Sequence, residues 1–205
     1  AEQGMGDAIQ FVRYLPLVAQ RGGRILLECH APLLNLFRGM PEIAQLIPQQ
    51  TAPPAFDLHA PLLSLPYIFG TSLETVPAIV PYLAAPPPTD PIPGPPGDFL
   101  KIGIVWSGNP QNPYNQTRAC PPELLLQLAD LPGVQIYSLQ KDLRSPELEV
   151  LQAHPQVTDL RPWLIDFVAT AGILQQLDRV ITVDTAVAHL AGALGKSVWL
   201  LLPFA

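Results

Sequence analysis

The stretch that decides the fold runs from Val180 to Gly195 and reads VITVDTAVAHLAGALG. Its first four residues are β-branched, which is typical of a buried strand. Asp184 and Thr185 follow at the point where a helix N-cap belongs, and small residues then continue to the glycine that ends the helix. The segment therefore predicts a strand, a tight turn and a helix that lies close against the sheet.

The start of this helix is the first candidate binding site. The backbone N–H groups beyond the cap have no partner within the helix, and the helix dipole adds positive potential there. Such a helix start, at the carboxyl end of a strand, is where open α/β sheets bind phosphate groups. The candidates are Asp184, Thr185 and Ala186, with His189 one turn further on. An ordinary Asp cap beside a packed histidine explains the same pattern and stays open as the alternative.

Upstream of this segment, apolar runs and helical patterns alternate. This succession predicts a doubly wound, Rossmann-like parallel sheet. The predicted strands are 101–106, 134–139, 157–160, 180–183 and 197–202, and the predicted helices are 121–130, 145–153, 166–177 and 185–194.

The N-terminal half shows a similar alternation and predicts a second α/β unit with a parallel sheet. The predicted helices are 7–20, 32–39 and 61–69, and the predicted strands are 24–29, 43–47 and 56–60.

A proline-rich stretch separates the two halves. Eight prolines fall between Pro81 and Pro96, and such a stretch can donate few backbone hydrogen bonds, so it should form a stiff, extended connector. We therefore predict an N-terminal domain at 1–84, a linker at 85–98 and a C-terminal domain at 99–205, although a long surface loop within one domain is the alternative. Neither end carries the flanking elements that a complete pair of sheets would have, so we expect a fragment of a longer protein, truncated at both ends.

Composition excludes several classes of protein. Charged residues make up 14% of the chain and the net charge is −6, so no basic stripe is available for nucleic acid. The two cysteines and four histidines show no metal-ligand spacing, and we expect no metal and no cofactor. No apolar run reaches the roughly 20 residues of a membrane span, and no signal peptide is recognisable. We expect a cytoplasmic protein with reduced thiols, and the inner face of the membrane stays open.

Three further segments could carry chemistry. Gly4 and Gly6 would allow a tight turn and close approach to a ligand, with Asp7 at the start of the next helix. Ser107, Gly108 and Asn109 follow a predicted strand, and Arg118 ends the same polar loop, where its guanidinium could clamp a phosphate. Lys141 follows the next predicted strand and could pair with a phosphate as well. Each has a plain alternative: a capped glycine turn, a solvated loop with a surface arginine, and a lysine that faces water.

At these residues the sequence resembles a known family. The stretch from Val183 to Gly195 resembles the donor-binding signature of the heptosyltransferases, glycosyltransferase family 9, and Gly4–Asp7 is similar to the opening loop of that family. The resemblance covers nearly all 205 residues of the chain. The wider chain, including 101–109, 138–141 and 199–204, looks closest to bacterial glycosyltransferase-like domains that follow tetratricopeptide repeats.

The resemblance implies a GT-B architecture, in which two Rossmann-like domains face a cleft. It implies an inverting transfer of a sugar, of hexosyl or heptosyl type, from a nucleotide sugar to a glycan or protein acceptor. Asp7 would be the general base, and Asp184 with Thr185 and the helix start would hold the donor sugar and diphosphate. Arg118 would approximate the cationic phosphate contact, and Ser107 to Asn109 the loop beneath the nucleotide.

One position departs from the family. Heptosyltransferases place an acidic donor-site residue about where this chain has Gln140 and Lys141. The departure speaks against ADP-heptose as the donor, and the missing flanks imply weak binding or no turnover by this chain alone. Two other functions stay open: a non-catalytic sugar-nucleotide or glycan-binding module on a repeat scaffold, and, with less support, a sugar-nucleotide epimerase.

Overall fold

The computed structural model describes residues 3–87, 90–113 and 115–203. These residues form a mixed α/β fold with two parallel sheets, which confirms the predicted fold class. The smaller sheet pairs β1 (Ile25–Cys29) with β2 (Ile43–Pro48). The larger sheet has the order β5-β4-β3-β6-β7 and consists of β3 (Leu100–Val105), β4 (Val134–Ser138), β5 (Thr158–Asp159), β6 (Arg179–Val183) and β7 (Ser197–Leu201).

The helices are short and lie between the strands. Single 3-10 turns extend several of them, including the turn at 12–14 that joins the first two helices. They are α1 (Met5–Phe11), α2 (Leu15–Gln20), α3 (Leu34–Phe37), α4 (Leu65–Ile68), α5 (Asn115–Arg118), α6 (Pro122–Leu126), α7 (Ser145–Gln152), α8 (Phe167–Gln175) and α9 (Ala186–Ala193).

The strand order of the larger sheet positions the candidate residues. The chain moves outward from β3 to β4 and β5, then returns to the other side of β3 with β6 and β7. The order therefore reverses between β3 and β6, and open α/β sheets bind ligands at such a reversal, beyond the carboxyl ends of the strands. The loop after β3 begins at Trp106 and leads to Arg118, which contacts Asp184 in the turn after β6 at this edge.

The main core cluster joins residues from both halves of the chain. Ile9 of α1, Phe37 of α3, Leu174 of α8 and Leu190 of α9 are all fully buried in it. A second cluster lies on the other face of the larger sheet and includes the fully buried Ile104. The two halves are therefore packed on each other through apolar side chains, which supply most of the stabilisation of a fold of this kind.

The start of the proline-rich segment runs across the ends of α1 and α9. The backbone N–H groups of Tyr82 and Leu83 both donate to the carbonyl of Ala193, and the hydroxyl of Tyr82 donates to the carbonyl of Ile9. Further along, the N–H of Ile92 donates to the side-chain carbonyl of Gln176. The division into two domains and a linker stays a prediction, and two of the linker positions, 88 and 89, lie outside the described residues.

Most predicted elements are confirmed, but the strand predicted at 56–60 is wrong. This segment is exposed and irregular, and Leu58 is 93% exposed. Prolines flank the run on both sides, and its apolar side chains pack on no sheet among the described residues, so alternation alone could not make it a strand. The loop predicted from Ser107 to Arg118 also contains the helical turn α5. Phe204, the last residue of the resemblance, lies outside the described residues.

Truncation of Ile104 to alanine should destabilise the fold, because this side chain is fully buried at the centre of the larger sheet. We expect the free energy of unfolding to fall by about 2–5 kcal/mol in chemical denaturation. Leu100→Ala on the same strand is the matched control, since Leu100 is 47% exposed, and it should cost less than about 1 kcal/mol. Equal losses of unfolding free energy in the two variants would contradict the burial of Ile104 and the exposure of Leu100.

Candidate functional site

The carboxylate of Asp184 lies at the centre of a charged cluster. One of its oxygens accepts a hydrogen bond from Nη1 of Arg118 at 3.3 Å. The other lies 3.6 Å from Nε2 of His189. The side chain of Asp184 is 46% exposed and that of Arg118 is 21% exposed, so solvent and ligands can reach the cluster. The structure thus brings together three of the residues that the sequence singled out.

The N-terminus of α9 lies directly beside this cluster. Thr185 is the N-cap residue, with φ −143° and ψ 167°, but its side chain makes no capping hydrogen bond. Its hydroxyl lies 3.1 Å from that of Thr182 instead. The N–H groups of Ala186 and Val187 make no hydrogen bond with any other described residue. Two backbone donors at the start of the helix are therefore available to an anion.

The loop after β3 closes one side of the cluster. The N–H of Gly108 donates to the side-chain carbonyl of Asn115 at 2.7 Å, and Asn115 is itself buried. A Cβ atom on Gly108 would lie 3.1 Å from Nη2 of Arg118, so the missing side chain lets the guanidinium lie against the backbone. The side-chain carbonyl of Asn109 accepts a hydrogen bond from the N–H of Gln111, so this side chain is engaged within the loop.

Gln140 anchors the base of the same loop. Its Oε1 accepts hydrogen bonds from the N–H groups of Trp106 and Ser107, and its Nε2 donates to the carbonyl and hydroxyl of Ser107 and to the carbonyl of Asp142. Gln140 is 2% exposed, so this side chain is fully engaged in the loop and does not face a ligand. Lys141, next along the chain, is exposed and forms no hydrogen bond or ion pair with the residues that the structure describes.

The glycine loop approaches α9 from the other half of the chain. A Cβ atom on Gly6 would lie 2.8 Å from Cδ2 of His189 and 3.4 Å from Cα of Ala186, so only glycine fits this contact without displacement. The carboxylate of Asp7 accepts a hydrogen bond from the N–H of Gly4 at 2.9 Å and closes the first turn of α1. The loop from Gly4 to Asp7 therefore lies beside the start of α9.

Sequence reasoning missed two residues of the site. Asn115 and Gln140 hold the loop after β3 in place through buried hydrogen bonds, and neither was singled out for this role. A polar residue that follows an apolar strand was the only signal for Gln140. The sequence gives no indication of which groups Gln140 binds, because its partner Ser107 lies 33 positions away along the chain.

The described residues contain no group of three or more His, Cys, Asp or Glu side chains that could hold a metal ion. Within the same residues, no helix is long and apolar enough to cross a membrane. Two grooves lie apart from the Asp184 cluster. One, of about 340 Å³, lies between the starts of α6 and α7, and the other, of about 520 Å³, lies along α1.

A solved structure described as the glycosyl transferase family 9 from Veillonella parvula superposes with a TM-score of 0.61, over 97% of this chain and 77% of that chain. The chain has the GT-B-like fold of a family 9 glycosyl transferase. At 11% sequence identity, the likeness establishes the fold alone. No protein-family model matches the chain. No curated protein matches it either.

Substitution of Gly6 by alanine should push α1 away from α9, because the added methyl group would meet His189 and the backbone of Ala186. We expect a loss of about 1–3 kcal/mol in the free energy of unfolding, as is typical of overpacking. Gly23→Ala is the control, since a methyl group there meets nothing within 4 Å, and it should cost no stability. Chemical denaturation of the two variants measures these losses. An unchanged free energy of unfolding in Gly6→Ala would mean that α1 and α9 are not in contact.

Proposed function

We propose that the protein is a glycosyltransferase that moves a hexosyl or heptosyl group from a nucleotide sugar to a glycan or protein acceptor, with inversion. The observation that carries the proposal is the cluster of Arg118, Asp184 and His189 at the free N-terminus of α9. This cluster faces the loop that bears Asp7, in a chain with the fold of a family 9 glycosyl transferase.

The donor diphosphate binds where positive potential is concentrated. The guanidinium of Arg118 contacts the phosphate oxygens, and the free N–H groups of Ala186 and Val187 add two hydrogen bonds together with the helix dipole. The loop from Ser107 to Asn109 lies beneath the nucleotide. Lys141, which is exposed, adds a cation at the rim of the site.

Asp184 has two partners in succession. Without a ligand, its carboxylate pairs with Arg118. A diphosphate that binds Arg118 releases one oxygen of Asp184, which then accepts hydrogen bonds from the hydroxyl groups of the donor sugar. Nε2 of His189 lies 3.6 Å from the same carboxylate, and Thr185 follows Asp184 as the N-cap of α9.

Asp7 takes the proton of the acceptor hydroxyl. The acceptor oxygen then forms a bond to the anomeric carbon of the donor from the face opposite the leaving group, and the bond between that carbon and the phosphate oxygen breaks. Negative charge develops on the departing nucleoside diphosphate. Arg118 and the N-terminus of α9 stabilise this charge, so the proposed reaction uses neither a metal nor another cofactor.

The second candidate function is a non-catalytic module that binds a sugar nucleotide or a glycan. The hydrogen bond from the N–H of Gly4 to Asp7 favours it, because that carboxylate already has a structural use at the start of α1. Such a module would keep the site at α9 without any need for a base. In either function we propose a cytoplasmic protein of bacterial origin, attached to a tetratricopeptide-repeat region and without a nucleic-acid partner.

The donor site is tested by calorimetric titration with UDP, ADP, GDP and CDP. We expect saturable binding of one nucleotide, weakened roughly 10- to 100-fold in Arg118→Gln, because a hydrogen bond to a charged group contributes about 1.5–3 kcal/mol. Arg179→Gln is the matched control, since Arg179 lies at the opposite end of β6 from Asp184 and should leave the affinity unchanged. Equal affinities of the Arg118 and Arg179 variants would exclude the proposed diphosphate site.

The catalytic role of Asp7 is tested by Asp7→Asn, which keeps the size of the side chain and removes its charge. We expect the rate of sugar transfer to fall by about 10²- to 10⁴-fold, the contribution of a general base, while the nucleotide affinity stays unchanged. Product analysis by mass spectrometry measures the transfer. Turnover at the native rate in this variant would exclude Asp7 as the base, whereas nucleotide binding without any transfer by the unaltered protein would support the non-catalytic module.

A further inference from the structure

The side-chain amide of Gln140 can take only one orientation. Its Oε1 lies 3.1 Å from the backbone nitrogen of Trp106 and 3.0 Å from that of Ser107, and both nitrogens carry a proton. An NH₂ group in the same place would meet two donors and no acceptor, so the oxygen must face them. The Nε2 group therefore faces the carbonyl and the hydroxyl of Ser107, at 3.1 and 2.9 Å.

This orientation decides which way the hydroxyl of Ser107 can donate. Nε2 of Gln140 only donates, so Oγ of Ser107 is the acceptor in the hydrogen bond between them. The proton of the hydroxyl must then point away from Gln140, and it has no acceptor among the residues that the structure describes. Ser107 is 6% exposed, and a buried donor without an acceptor is costly. The fold therefore leaves one hydroxyl donor for a ligand.

The hydroxyl of Ser107 lies at the edge of the sheet where α9 begins. Strands β3 and β6 are parallel neighbours, and their register, extended by two residues, places Ser107 level with Asp184, about 5 Å across the sheet. A Cβ atom on Gly108, the next residue, would lie 3.1 Å from Nη2 of Arg118. The unused donor is therefore close to the guanidinium of the proposed diphosphate site.

We propose that Gln140 is a positioning residue, which directs the hydroxyl of Ser107 to donate to a phosphate oxygen of the bound nucleoside diphosphate. The proposal rests on the function proposed above, because it adds a neutral donor to the same diphosphate site. Ionised phosphate oxygens only accept hydrogen bonds, so the direction of this hydroxyl decides whether it attracts or repels the ligand.

A glutamate at position 140 would reverse the direction of the hydroxyl. One carboxylate oxygen would still accept from the N–H groups of Trp106 and Ser107, but the other oxygen could not donate. It would accept the proton of the Ser107 hydroxyl instead, and a lone pair of Oγ would then face the phosphate. The carboxylate would also add a negative charge behind the site. The amide of Gln140 therefore favours an anionic ligand in a way that a carboxylate of the same size would not.

The first test is Ser107→Ala, which removes the hydroxyl and keeps the backbone groups that bond to Gln140. The probes are whichever of UDP, ADP, GDP and CDP binds the chain most tightly, titrated by calorimetry, and the matching nucleoside, followed by saturation-transfer NMR. We expect diphosphate binding to weaken about 10-fold, because a hydrogen bond to a charged group is lost. The affinity for the nucleoside, which has no phosphate, should stay unchanged.

Ser138→Ala is the matched control. Its hydroxyl is also fully buried and also contacts Gln140, but it lies 3.4 Å from the backbone nitrogen of that residue rather than from the amide. Loss of this hydroxyl should leave both affinities unchanged.

Gln140→Glu tests the positioning role itself, because it keeps the size of the side chain and an acceptor for the two N–H groups. We expect diphosphate binding to weaken at least about 10-fold with no change for the nucleoside, whereas a loop that had only lost its shape would bind both ligands less well. In the double variant with Ser107→Ala, the loss of binding free energy should be smaller than the sum of the two single losses, because the carboxylate has no hydroxyl left to redirect.

Chemical denaturation of each variant shows whether it is folded. If Gln140→Glu does not fold, the comparison of Ser107→Ala with Ser138→Ala decides alone. Native diphosphate affinity in Ser107→Ala, equal losses for diphosphate and nucleoside, or additive losses in the double variant would each overturn the proposal while the diphosphate site stands. Failure of every nucleoside diphosphate to bind the unaltered chain would overturn the function proposed above, and this proposal with it.

Discussion

The contact between Gly6 and His189 is the constraint on which the rest of the structure depends. Helix α1 reaches the start of α9 because residue 6 has no side chain that would meet the imidazole. The other ends of the two helices are joined through Tyr82, which bonds to both Ile9 and Ala193. These contacts place the loop that carries Asp7 opposite the residues that follow β6. Without them, the two halves of the candidate site would belong to separate surfaces.

The ion pair between Arg118 and Asp184 suits a site that exchanges one anion for another. Both side chains are partly exposed, so water screens the pair and its net contribution to stability is only about 0–1 kcal/mol. A diphosphate offers the same guanidinium stronger, charge-assisted hydrogen bonds. The loop beneath is rigid by contrast, because Gln140 and Asn115 hold it with buried hydrogen bonds. The cation is therefore held near its working position while its partner stays replaceable.

Much of the fold follows from local sequence. The β-branched run before Asp184 and the alternation of apolar segments predict the succession of strands along the chain from β3 to β7, and the structure confirms that succession. The segment at 56–60 shows where this reasoning fails, since an apolar pattern forms a strand only if a neighbouring strand is there to pair with it. Its prolines on both sides were a signal against the strand.

The residues of the candidate site could be predicted from the sequence better than the hydrogen bonds that hold them in place. Asp184 and His189 stand in one motif, and Arg118 follows from a polar loop after a strand, so residue type and position suggest all three. The roles of Gln140 and Tyr82 depend on bonds across 33 and 73 positions, which no local pattern encodes. Long-range hydrogen bonds of buried polar groups are set by the completed fold.

A crystal structure of the protein with the nucleoside diphosphate that it binds best tests the central claim most directly. The account predicts phosphate oxygens at hydrogen-bonding distance from the guanidinium of Arg118 and from the N–H groups of Ala186 and Val187. It also predicts that Arg118 and Asp184 no longer contact each other. A nucleotide bound elsewhere, with the pair of Arg118 and Asp184 intact, would contradict the account.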